Sequence, residues 1–104
     1  MNVWALDKDV QLKHFMLILL DTYGASSVTL SKLWQEDAKA IGIYKPGDET
    51  LLAYVHTHGQ ARGKFGVHLH YPEFTGDNTG RHEELELDAL LELVGMHLDL
   101  VHPS

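Results

Sequence analysis

Apolar residues recur at helical spacing early in the chain: Leu12, Phe15, Met16, Leu19 and Tyr23 share one face if a helix runs from about Asp7 to Tyr23. Asp7 offers a cap at its start and Gly24 a stop at its end. The period then changes. Ser27 to Ser31 alternates, with Val28 and Leu30 between polar residues, which predicts a strand, although TLSKLWQEDAKA also reads as a short helix capped by Thr29 or Ser31. A strand from Ala38 to Tyr44 follows, and KPGD at 45–48 is a turn, because proline pre-sets its own φ and glycine tolerates a positive one.

Two further runs alternate over longer stretches. From about Thr50 to His58, Leu51, Ala53 and Val55 fall on one face and Leu52, Tyr54, His56 and His58 on the other. From Lys64 to Tyr71, Phe65, Val67, Leu69 and Tyr71 oppose Gly66, His68 and His70, and the more apolar sets are expected to face the core. If Ala61-Arg62-Gly63 closes a three-residue hairpin with Gly63 left-handed, Gln60 pairs with Lys64. His56 then lies opposite His68, and Tyr54 opposite His70.

After the turn-forming stretch PEFTGDNTG, the chain from about Arg81 to Val101 reads as one long helix, with Thr79 as cap and Glu83, Glu84 and Glu86 near its positive end. It carries two apolar stripes. Leu87, Leu90, Leu91, Val94, Leu98 and Val101 form one, while Leu85, Ala89, Leu93, Met96 and Leu100 form a second, an arc wider than packing on one sheet face requires. The reading is a single α+β domain over residues 1–104: an N-terminal helix, an antiparallel sheet of three or four strands, and a long C-terminal helix packed on one sheet face. The second stripe predicts a homodimer through the C-terminal helix.

Composition fits one ordinary globular domain, since 104 residues with 44% hydrophobic and 22% charged side chains can bury one core. There is no cysteine, which removes disulfides, thiolate metal sites and cysteine nucleophiles. No apolar run reaches about 18 residues, and MNVWALDKD lacks a basic n-region and an apolar h-region, so neither a membrane partner nor secretion is expected and the cytoplasm is the expected location. The net charge of -7 is concentrated: residues 73–104 hold eight acidic side chains against Arg81 alone, and everything before them sums to zero. Nucleic acid is therefore not an expected partner, because its affinity comes largely from Lys and Arg releasing counterions.

The chemistry-bearing feature is AYVHTHGQARGKFGVHLHYPE at 53–73, with two His-x-His pairs. Opposed strands bring His56, His58, His68 and His70 into one contiguous patch. Three readings stay open. The four imidazoles could hold a divalent transition metal such as zinc, nickel or copper, titrate as a coupled pH-sensitive surface, or be a solvated sheet face. No carboxylate lies among the four histidines in sequence, and no HExxH, GxSxG or glycine-rich phosphate loop occurs. Trp4 and Trp34 read as core or rim residues.

In element order the chain is similar to the double-stranded RNA-binding domain, with Tyr54, Gly59, Phe65, Val67 and Gly80 at positions where that fold uses apolar and turn residues. The basic residues that open that domain's last helix are here Glu83, Glu84 and Glu86, so the resemblance extends to layout and not to RNA binding. The layout and acidity are also similar to those of acidic secretion chaperones that dimerise and hold partner segments. The expected function is a small soluble protein-interaction or regulatory module without catalytic activity, the alternative being a transition-metal-binding protein built on the histidine-rich hairpin.

Overall fold

The computed structural model describes residues 3–70 and 80–100. After a short 3-10 turn at Val3–Ala5, the elements are α1 (Val10–Tyr23), β1 (Thr29–Leu30), β2 (Ala40–Lys45), β3 (Asp48–His56), β4 (Phe65–Leu69), β5 (Gly80–Leu85) and α2 (Leu87–His97). The strands form one antiparallel sheet in the order β1-β2-β3-β4-β5, each beside its sequence neighbour. The class is α+β, as the sequence predicts, with five strands in place of three or four.

The fifth strand comes from the segment read as the start of the last helix. Gly80–Leu85 pairs with β4, so Leu85 sits opposite Phe65, Arg81 opposite His68 and His82 opposite Val67. Arg, Glu and Leu favour helices in isolation, but a neighbouring strand offers a full ladder of backbone hydrogen bonds, and that tertiary choice overrides propensity. Helix α2 therefore begins six residues later than expected, at Leu87, behind Glu86 as N-cap. Thr79, the expected cap, and the loop at 72–79 lie outside the described residues.

The core is one cluster on one side of the sheet. Leu12, Phe15, Met16 and Leu19 of α1 meet Leu90 and Val94 of α2, with Leu98 just beyond it, over Ile41, Ile43, Ala53, Val55, Phe65, Val67 and Leu69. In β3 and β4 these residues are the more apolar parity, so the alternation read there from the sequence assigns the buried face correctly. Phe15 and Phe65 meet with ring centroids 6.4 Å apart and tilted by 47°, tying α1 to β4. Helix α1 starts three residues later than expected, after Asp9 rather than Asp7, and ends at Gly24, where φ is 107°.

Between β1 and β2, residues 31–39 form turns, so neither the longer strand nor the short helix read there exists beyond Thr29–Leu30. The segment turns back across the sheet: Ser31 N–H donates to the Gly42 carbonyl at 2.7 Å, and Thr57 N–H to the Lys39 carbonyl at 2.9 Å. KPGD is the expected turn, with Lys45 paired to Asp48 and Gly47 at φ 88°.

Candidate functional site

Both helices lie on the core side, so the opposite face of β2, β3 and β4 carries the residues of even number. Three devices build a site there. Gly42 of β2 leaves room for the Trp34 ring, which a β-carbon at that position would meet at 2.7 Å. Trp34 then reaches Tyr54 of β3, with ring centroids 4.4 Å apart. Tyr54 stacks on His56 at 5.2 Å and 27°, and meets the ring of His68 across the ladder, also at 5.2 Å. Gly66 of β4 leaves the space into which the His56 ring folds, since a β-carbon there would overlap it.

The histidines share a face, but in a different register from the one expected. His56 is opposite Gly66 and Tyr54 is opposite His68, a slip of two residues from the predicted pairs. A slip of two keeps the parity and changes the partners. Its cause is the connection: Gln60 N–H turns back to the Thr57 carbonyl and Lys64 N–H to the Ala61 carbonyl, so the ladder ends at His56 and Gly66, not at Gln60 and Lys64. Gly63 is left-handed, φ 82°, as expected. Glu84 holds the loop from β5, its carboxylate accepting from Ala61 N–H at 3.0 Å.

His56 and His68, now diagonal, meet edge to face with centroids 5.3 Å apart, and the His58 ring lies 6.0 Å from that of His56. Nε2 of His58 is engaged by Asp37, at 2.8 Å from Oδ2. His70 is opposite Leu52 at the other end of the ladder, where its N–H donates to the Leu52 carbonyl. Among the described residues no group of three or more His, Asp or Glu side chains is placed to hold a metal ion.

Three groups outside the expected set belong to the site: Trp34, Tyr54 and Asp37. Asp37 is 21 residues from His58 in sequence, so the carboxylate missing from the neighbourhood of the histidines arrives through the fold. That hydrogen bond is the main reason the Asp37 carboxyl is held below its usual range. Lys8 secures the same segment from beneath, its ammonium donating to the carbonyls of Trp34 and Asp37 at 2.7 Å each. Burial lowers the pKa of Lys8, partly offset by Asp37 and Asp7. The one available signal was the pairing of small Gly42 and Gly66 with large aromatic neighbours on one strand face.

His56 is 6% exposed, and neither of its ring nitrogens has a hydrogen-bond partner. Burial, reinforced by the His58 charge, pushes its pKa below the ordinary histidine value. Glu83, Asp37 and the backbone of His58 pull the other way without overcoming it. His68 is lowered as well, by burial and then by Arg81, His56 and His70. Burial and Asp37 together raise the Tyr54 phenol. The site is thus a row of packed, uncharged rings at neutral pH, with the Asp37 carboxylate hydrogen-bonded to His58 at its rim.

Two hollows flank Leu33. One, of about 380 Å3, is lined by Ser31, Lys32, Leu33, Tyr44 and Leu52. The other is broader and is lined by residues 32–39 with His58. Leu33, between them, is 58% exposed. Compared with protein-family models, curated protein sequences and solved structures, the chain matches none.

Proposed function

We propose that the protein is a non-catalytic interaction module that uses the helix-free face of its sheet to hold a segment of a protein partner. The observation that supports this most is the disposition of apolar groups on that face. Leu33 stands exposed beside a hollow whose walls include Tyr44 and Leu52, next to a preformed row of Trp34, Tyr54 and His68 rings. Such a face offers an anchor pocket with rigid aromatic rims, the arrangement that concentrates binding energy in protein interfaces.

The surface available to a second copy is smaller than the sequence suggests. Leu85 belongs to β5, and Leu100 packs against the core, which leaves half-buried Ala89 and Leu93 with Met96, 72% exposed, as the strip on α2. The homodimer proposed here is accordingly weak, well short of the roughly 800 Å2 per partner of a stable interface.

Photo-crosslinking tests the reading. A benzophenone side chain in place of Leu52 or of Leu33 is expected to trap a partner that one in place of Met96 does not. The partner so identified, purified and mixed with the wild-type chain, is expected to bind at least tenfold more tightly than to Tyr54→Ala. Trapping confined to position 96, or equal affinity for Tyr54→Ala, contradicts it.

A further inference from the structure

The ring of His56 lies against the backbone of Gly66, in a place that exists only because residue 66 has no side chain. A neutral imidazole can occupy it at the cost of two nitrogens without a hydrogen bond, whereas an imidazolium there would be a buried charge that the backbone of His58 and the Glu83 carboxylate offset only in part. Charged and titratable groups face it from each neighbouring element: Tyr54 on its own strand, His58 in the turn that follows, His68 on β4, Glu83 on β5 and Asp37 from residues 31–39, with Arg81 acting on His68. Asp37 is taken up by His58, so Glu83 on the exposed strand β5 is the carboxylate left for a charged His56.

The other end of the ring row is under strain. Trp34 has φ 63°, a left-handed conformation that a bulky L-residue rarely adopts. What opposes the strain is the ring's own packing on Gly42 and Tyr54, together with the Lys8 bond to its carbonyl. Tyr54 in turn is flanked by His56, with which it stacks.

We propose that His56 is a proton-operated latch on this face. When the imidazole is protonated it leaves its seat above Gly66 for water and the Glu83 carboxylate, Tyr54 loses its stacking partner, and Trp34 comes away from the sheet with the segment around it. The latch is a property of the isolated chain and does not depend on what binds the face.

The test uses the full chain with Trp4→Phe, so that Trp34 is the only tryptophan of the two in the sequence. From about pH 7.5 to about pH 5, the His56 ring resonances are expected to titrate with a midpoint below 6.5. The Trp34 emission is expected to move to longer wavelength with the same midpoint, while far-ultraviolet circular dichroism stays constant. Glu83→Gln should move that midpoint to lower pH, and His56→Gln should abolish the emission change. Gly66→Ala should give the acid-state emission already at neutral pH; should it fail to fold, His56→Gln decides alone. An emission change that survives in His56→Gln, a His56 ring that titrates without any change at Trp34, or emission and circular dichroism lost together would overturn the proposal.

Discussion

His58 and Asp37 meet at the rim of the ring cluster, and their contact is the simplest one to examine alone. Because the hydrogen bond from His58 is the leading cause of the lowered Asp37 pKa, His58→Ala should return that carboxyl toward its ordinary value of 3.8. Carboxyl carbon shifts followed against pH read this directly; an unchanged midpoint would mean the two side chains do not meet in solution. Asp37 contributes stability above its unfolded value and loses that contribution as pH falls through the lower, folded one. Gly42 is the second residue whose role is sharp. Gly42→Ala drives a methyl into the Trp34 ring and should lower unfolding free energy by about 1–3 kcal/mol in urea titrations. Of this site the sequence shows the four histidines and their common parity, because parity follows from a period of two. Asp37 and Trp34 were not legible as members, since they reach the face from a turn whose path depends on the seat at Gly42 and on Lys8, 26 residues before Trp34.

At the scale of elements, the two helices and the alternating strands were readable because each has a long, one-sided apolar pattern. The strand β5 was not. Its residues Arg81, His82, Glu83 and Glu84 are all exposed, so no buried face imposes a period, and only the ladder to β4 makes them extended. Adding Leu85 to the helix that follows also produced the overly wide apolar arc. The slip of the β3–β4 register has a related origin: Gly63 is left-handed as its turn chemistry predicts, but Gln60 and Lys64 do not pair and the ladder stops at His56 and Gly66. Past the end of α2, Asp99 is left-handed with φ 54°, where glycine is the favoured residue. Its side chain is exposed, and the bond it receives from Lys45 goes to its carbonyl at 3.1 Å, which any residue provides. Asp99→Gly is therefore expected to stabilise the fold by about 0.5 kcal/mol, relief of the left-handed cost exceeding the added freedom of the unfolded chain. Thermal unfolding measures it, and a lowered midpoint would contradict the backbone assignment.

The whole molecule divides its labour between two sheet faces, one closed by helices and one carrying rings, with negative charge gathered toward the C-terminal end. No described helix is long and apolar enough to cross a membrane. The trimmed strip on α2 predicts sedimentation between one and two chain masses of 11.7 kDa at micromolar concentration, collapsing to one mass in Met96→Glu; a mass independent of concentration and of that substitution removes the dimer. The ring-bearing face depends most on His56 being buried and uncharged in the folded chain. Unfolded, it binds protons at its ordinary pKa; folded, it binds them only at lower pH, so acidification below about pH 7 must cost stability until the folded group also titrates. His68 and His97, lowered chiefly by burial, add to the same slope. The decisive measurement is urea unfolding from about pH 7.5 to about pH 5 for the wild type and His56→Phe. The wild-type curve should fall more steeply than the variant's, by up to one proton's worth, about 1.4 kcal/mol per pH unit. Two parallel curves would show that His56 takes up its proton equally in both states, and would contradict the account.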